Sequence, residues 1–283
     1  MSMTVRTNMA ALSSINSLNK SQSSLSSSLE KISSGLRINR AADDAAGLGV
    51  ATRMESDNTS LKQAMRNTND GISLVQTAEG SIEQLSNILI RFRELSVQAS
   101  NETYTSTDRT MIGEEMDQLK NEYQRITTLA NFNDQKLLNG SGTLSIQVGI
   151  DGSANDRISI NMSDLSTSLG ALTSVTTVFA TVTAGTASTA AVATTNLAQL
   201  DSAINSLSTR RAKLGSIQNR FENALSEAST YSQNLSAAQS NILDVDYASE
   251  SANMTRYQIQ SQAGVAALAQ AKAIPQSIIS LLS

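Results

Sequence analysis

Histidine, cysteine and tryptophan are absent from this chain, and proline occurs once. Without imidazole or thiol there is no Ser-His-Asp or Cys-His nucleophile system, no His- or Cys-ligated metal and no disulfide. No catalytic residue, cofactor or metal ligand is therefore assigned, and an enzyme is not expected. Aromatic residues make up only 3% of the sequence, so a core has to come from Leu, Ile, Val, Ala and Met, which suits packed helices. Charge is sparse as well. The 21 basic and 25 acidic residues give a formal net charge of -4, with no dense basic run to track a phosphate backbone, which argues against nucleic acid as a partner. No stretch reaches the roughly 18 consecutive apolar residues of a membrane span, and the first residues lack the apolar core of a signal peptide. Export would need another route, and a chain without thiols can enter an oxidising exterior without forming wrong bridges.

What is present is helical periodicity over 283 residues, enough for one or two domains. In the first stretch, Ile15, Leu18, Leu25, Leu29, Ile32 and Leu36 alternate three-four spacing, with Gln22 in the one gap, which is a heptad seam. Twelve of the first 34 residues are serine. A Ser-rich amphipathic helix gains little from intrinsic propensity and needs a partner. After breaks at Ser34-Gly35 and around Gly47 to Gly49, periodicity resumes through Met54, Leu61, Met65, Ile72, Val75, Ile82, Leu85, Leu89 and Phe92, predicting a long helix from about Ala45 to Ala99. A polar turn at Asn101 to Thr107, with Asp108 as N-cap, leads to a shorter helix carrying Ile112, Met116, Leu119, Tyr123 and Ile126.

The middle differs. Leu144, Ile146, Val148 and Ile150 alternate with small or polar residues, a turn follows at 151–156, and Ile158, Ile160 and Met162 alternate again, which predicts a β-hairpin. Thr173 to Thr195 is almost all Thr, Ala, Val, Ser and Gly, fitting short strands or an exposed loop. From Asn196 the helical pattern returns, with Leu200, Leu207, Leu214, Phe221, Ala228, Leu235 and Ile242 every seventh residue. So long a repeat demands partners lying alongside. A last helical stretch, Ala248 to Ser283, has Gly264 and Pro275 as its only breakers.

The fold class is therefore mainly α: an elongated out-and-back coiled-coil or helical-bundle rod with a small β-hairpin region in the middle of the chain. The expected division is 1–44 with 244–283 as a discontinuous terminal coiled-coil domain, and 45–243 as a rod-like helical domain with β-hairpins at about 140–195. Motifs that look chemical are better read as chance or structure. Ser17 to Lys20 and Ser56-Asp57-Asn58 match two elements of penicillin-interacting serine enzymes but lack the third. Asp151 to Asp156 lacks the glycine and terminal Glu of a calcium loop, and Asp43-Asp44 suits a helix cap. What survives is more apolar helix face than one chain needs, whose natural partners are other copies of it. Self-assembly is therefore assigned to Ile15, Leu18, Leu25, Leu29, Ile32, Leu36, Leu235 and Ile242.

Ser33-Ser34-Gly35-Leu36-Arg37-Ile38-Asn39, with Ala41-Ala42 and Asp43-Asp44-Ala45-Ala46-Gly47-Leu48, resembles the N-terminal signature of bacterial flagellins. Leu214-Gly215, Gln218-Asn219-Arg220-Phe221, Asp244 to Ala248, Leu268-Ala269-Gln270-Ala271, Pro275-Gln276 and Ser280-Leu281-Leu282 resemble the C-terminus in order and spacing. The resemblance implies a homopolymer, the helical filament of the bacterial flagellum that drives swimming, in a short form with no outer inserted domain. It also implies secretion by the flagellar type III apparatus to an extracellular filament, and, as partners, an export chaperone, the filament cap and hook-filament junction proteins. Ile90 to Gln98 resembles the segment sensed by a host innate immune receptor, which implies receptor contacts at Arg91, Leu95 and Glu115. The runner-up readings are a hook-filament junction protein and a secreted coiled-coil effector or adhesin.

Overall fold

The computed structural model describes residues 8–162 and 190–282, with side chains described over 8–162 and 197–273. Among the described residues there are five helices: α1 (Met9–Ser34), α2 (Ala45–Ala99), α3 (Ser106–Leu129), α4 (Ala190–Leu243) and α5 (Tyr247–Leu282). Two small antiparallel hairpins lie between α3 and α4 in sequence, β1 (Asn131–Phe132) with β2 (Gln135–Lys136), and β3 (Thr143–Gln147) with β4 (Arg157–Asn161). The mainly α fold with a small β region agrees with the sequence. The strands or loop expected at 173–195 fall outside the described residues up to 189, and from Ala190 onward the backbone is already α4.

The helix ends show how local chemistry sets the boundaries. Asn8 caps α1 by accepting the Ala11 N–H at 3.0 Å, and Gly35, at φ 73°, ends it by donating its N–H to Lys31 O. Asp44 Oδ1 accepts the Gly47 N–H at 2.9 Å at the start of α2, the capping role expected of this carboxylate. Gly47 and Gly49 do not break the chain: α2 runs through both, as α5 runs through Gly264 and Pro275. The cap of α3 is Thr105 rather than Asp108. Thr105 Oγ1 accepts the Asp108 N–H while Asp108 Oδ2 accepts the Thr105 N–H, a capping box in which Asp108 is the third helical residue.

The chain divides into two compact units, one of residues 1–58 with 233–283 and one of 59–232. The second unit holds the larger core. On α2 an unbroken three-four alternation is buried, Leu61, Ala64, Thr68, Gly71, Val75, Ala78, Ile82, Leu85, Leu89, Phe92, Ser96 and Ala99, half of them small, with Leu74 and Leu95 buried beside it. Facing them are Leu200, Leu207, Leu214, Phe221 and Ala228 of α4, all buried as the seven-residue repeat predicts. Large meets small across this seam. A Cβ on Gly71 would lie 2.8 Å from Phe221 Cζ and 2.9 Å from Ile146 Cδ1, so the ring occupies the space a side chain would fill.

Ile112, Met116 and Tyr123 of α3 close the same core, and Leu137, Leu138, Ile158, Ile160 and Met162 seal it from the β region. The β3–β4 register, Leu144 opposite Ile160 and Ile146 opposite Ile158, puts alternate residues toward the helices. Asn67 Nδ2 donates to Gln147 O at 3.3 Å, tying the hairpin to α2. Asn133 and Asp134, at φ 50° and 64°, form the two-residue turn of β1–β2, a left-handed conformation that Asn and Asp tolerate better than most residues.

Candidate functional site

In the first unit α1 and α5 lie antiparallel. Asn8 Nδ2 donates to Ala271 O at 2.8 Å at one end, and Leu36 and Asp244 form a bridge at the other. Arg37 supports that end with two donations, its N–H to Leu243 O and its Nη2 to Ile242 O at 2.7 Å, and Val245 N–H returns to Gly35 O. The residues of α1 turned toward α5 are Ala11, Ser14, Leu18, Ser21, Leu25, Ser28 and Ile32, with Ser28 only 2% exposed. On α5 the matching set is Met254, Tyr257, Ser261, Gly264, Leu268 and Ala271. Small residues are interspersed with large ones on both helices, so the backbones can approach; a Cβ on Gly264 would already be 3.4 Å from Leu18 Cδ1.

The predicted stripe is split by this pairing. Leu18, Leu25, Ile32 and Leu36 are half-buried in the chain itself, whereas Ile15 (37%) and Leu29 (49%) remain exposed. One partner of the terminal helix is thus its own C-terminal helix. Leu29 lies about 100° round the helix from Ser28, pointing away from the pair. Met9 and Leu12 on α1, and Tyr247, Ile259 and Val265 on α5, are also exposed. Farther along, Leu235, like Ile38 and Ala51 of the same unit, is buried, and Ile242 is half-buried. The serines at 14, 21 and 28 are polar and so carry no hydrophobic mark of a seam; their seven-residue spacing is the available signal.

The loop joining α1 to α2 is fastened by charge. Arg40 Nη2 and Nε make a forked contact with Glu30, the shortest arm 2.7 Å, and Asp43 Oδ2 accepts the N–H groups of Asn39 and Arg40 at 3.1 and 3.0 Å. Those backbone donors, Arg40 first and then Asn39, hold the Asp43 carboxyl below its usual pKa.

The three residues assigned to a host receptor stand apart. Arg91 and Glu115 are exposed and joined, Nη2 to Oε1 at 2.7 Å and Nε to the same oxygen at 3.0 Å, with Glu94 accepting from Nη1. The hydrogen bonds to Glu115 and Glu94 raise the Arg91 pKa further. Leu95 is 1% exposed, inside the α2–α3–α4 core, so it presents no surface. Arg93 with Asp201, both exposed, and Arg211 with Glu79, both half-buried, border the α2–α4 seam. Burial pushes the Tyr123 hydroxyl pKa up, opposed by the Arg210 charge nearby.

Among the described residues no group of three or more His, Cys, Asp or Glu side chains is placed to hold a metal ion, and no helix is long and apolar enough to cross a membrane. What the geometry of the first unit offers is exposed apolar helix surface.

Comparison with known proteins gives that surface its context. Residues 5–143 match the bacterial flagellin N-terminal helical region, and 197–282 match the bacterial flagellin C-terminal helical region. The chain is 40% identical to a flagellin of Bacillus subtilis (strain 168), covering 99% of this chain and 100% of that one. It is 38% identical to the flagellar filament 30.7 kDa core protein of Treponema maltophilum, again over 99% and 100%. A solved structure described as a putative flagellar hook-associated protein from Vibrio parahaemolyticus shares the fold at 14% identity, with a TM-score of 0.61 over 71% of this chain and all of that one. With both terminal helical regions matched and full-length relatives at this identity, the chain belongs to the bacterial flagellin family.

Proposed function

We propose that this protein is the structural subunit of a flagellar filament and serves swimming motility. The observation that carries the reading is the apolar surface left over once α1 and α5 have paired: Met9, Leu12, Ile15 and Leu29 on one helix, Ile259 and Val265 on the other. A helix pair with exposed apolar residues on its outer sides is built to pack against further copies of itself. In this reading residues 1–44 and 244–283 form the inner coiled coil of the polymer, residues 45–243 form a rod-like helical domain, and no outer domain is inserted. Ile15 and Leu29 make contacts between subunits. Leu18, Leu25, Ile32 and Leu36 set the pair that presents them, and Leu235 and Ile242 anchor that pair to the longer helices.

Secretion through the flagellar export apparatus, an extracellular position, and interactions with an export chaperone, the filament cap and junction proteins belong to the same proposal. So does sensing by a host innate receptor, which we confine to the exposed Arg91–Glu115 pair, because Leu95 could be touched only after the core opened.

Seeded polymerisation followed by sedimentation and negative-stain microscopy tests the reading. Wild-type protein should extend seeds into long filaments. Leu29→Ser should abolish elongation while the monomer keeps its helical circular dichroism, whereas Leu235→Ser should weaken both. Normal filaments from Leu29→Ser protein would remove the observation on which the proposal rests. Short caps on seed ends in place of filaments would favour the junction-protein reading.

A further inference from the structure

We propose that Asn139 is a site of spontaneous covalent modification, losing its side-chain amide to the backbone of Gly140. Asn139-Gly140 is the one Asn-Gly pair in the sequence. It lies in the connection between β2 and β3, outside regular structure, and Asn139 is exposed. Among the described residues nothing hydrogen-bonds either the Asn139 side chain or the Gly140 N–H. The glycine is imposed by the fold, since a Cβ at this position would lie 2.5 Å from Lys136 O. A half-buried residue kept free of a side chain for packing reasons therefore leaves its own N–H without an acceptor beside an exposed carboxamide.

The chemistry is an intramolecular acyl transfer favoured by proximity. The Gly140 nitrogen, as its proton leaves to solvent base, attacks Asn139 Cγ, the new C–N bond closes a five-membered succinimide, and the Cγ–Nδ2 bond breaks to release ammonia. Water then adds to either imide carbonyl. Opening one way gives an ordinary aspartyl residue at position 139; opening the other gives an isoaspartyl link, with the main chain running through Cγ and one carbon longer. No oxidant or further reactant is needed. Either product adds a negative charge, and the isoaspartyl form lengthens the backbone directly after Leu137 and Leu138, both fully buried core residues. The step does not depend on the filament reading.

The sequence supplies internal controls. Asn16-Ser17 and Asn205-Ser206 also pair asparagine with a small residue, but both sit inside helices, where φ and ψ are fixed and the backbone nitrogen is already donating.

The full-length protein, native and in denaturant, is aged at mildly alkaline pH in heavy-oxygen water. Tryptic peptide 137–157 is then followed by fragment-ion mass spectrometry and by retention time, which separates aspartyl from isoaspartyl forms. The expected result is heavy oxygen at position 139 in the native protein, accumulating within about tenfold of the unfolded rate, a barrier difference of no more than about 1.4 kcal/mol. Asn16 and Asn205 should stay unlabelled in the native sample, and Asn139→Gln protein, altered only at an exposed side chain, should leave the peptide unlabelled at 139. A native rate more than about tenfold below the unfolded one would overturn the proposal, because the fold would then be holding the Gly140 nitrogen out of reach. Label at Asn155 instead of Asn139 within the same peptide would overturn it too.

Discussion

Replacing Gly71 by alanine should destabilise this protein, although alanine is the better helix former, and should stabilise it once Phe221 has been removed. In an open helix position the substitution gains about 1 kcal/mol from propensity alone. Here the added methyl would lie 2.8 Å from Phe221 Cζ and 2.9 Å from Ile146 Cδ1, so a ring and a methyl from two different elements must both give way. Both belong to the packed core of the second unit, where overpacking costs about 1–3 kcal/mol. The expected net effect is a loss of roughly 1 kcal/mol, the overpacking outweighing the propensity gain. Phe221→Ala costs on the order of 3–5 kcal/mol and leaves a void against Gly71. In that background Ile146 can yield into the void, and the same Gly71→Ala change fills part of it and keeps the propensity gain, so its sign reverses. Denaturant unfolding of the four proteins of the cycle, followed by circular dichroism, reads the coupling directly. If Gly71→Ala stabilises the otherwise unaltered protein by the full propensity value, the ring does not rest on that glycine and the description of the seam is wrong.

Further outcomes follow from other parts of the fold. Leu29→Ser should leave monomer stability within about 0.5 kcal/mol, as for an exposed site, while Ser28→Leu should cost about 1–3 kcal/mol by forcing α1 from α5; thermal unfolding distinguishes neighbours that differ only in facing. Thr105→Ala should cost about 0.5–2 kcal/mol through loss of the α3 cap and speed amide exchange over its first turn. Asp43 has a folded pKa below its ordinary 3.8, so its contribution is present in full above that value and is lost as pH falls through the lowered one. The stability difference between wild type and Asp43→Asn should accordingly be flat near neutrality and close below pH 3.8, and a carboxyl titration midpoint at or above 3.8 by NMR would contradict it.

The sequence was most readable where large residues marked the buried face. The repeat Leu200, Leu207, Leu214, Phe221, Ala228, Leu235 survives unchanged as the inner face of α4, because each member is apolar and the helix has no competing breaker. On α2 the same alternation was only half visible, since Ala64, Thr68, Gly71, Ala78, Ser96 and Ala99 fill small sites that bulky partners require, and hydrophobicity does not score such residues. The same blindness hid the small half of the α1–α5 contact. Ser14, Ser21 and Ser28 face α5 because closeness matters more there than area, and Leu29 lies off that contact, exposed. The α3 cap was read three residues late because Asp108 and Thr105 are both capping residues and only the reciprocal hydrogen bonds assign their roles. The β1–β2 hairpin was missed because two-residue strands carry no periodicity, its whole signal being the Asn133-Asp134 turn. Of the receptor residues, the Arg91–Glu115 pair needed two helices to meet, and the burial of Leu95 was already implied by its place among Leu89 and Phe92.

A heptad seam has a weakness that the meeting of Phe221 and Gly71 removes. Because its pattern repeats, α4 displaced along α2 by seven residues would again set apolar positions against apolar positions, and hydrophobic burial alone scarcely distinguishes the two alignments. Such a displacement would carry the Phe221 ring onto Ala64 or Ala78, which are buried and carry the methyl that Gly71 lacks. One vacant notch therefore works as a keyway: the ring seats at a single axial setting and jams at the adjacent ones. Every copy of the chain then carries its outward-facing charges and hairpin at the same height, which a repeating lattice of identical subunits needs and a uniform leucine seam could not guarantee.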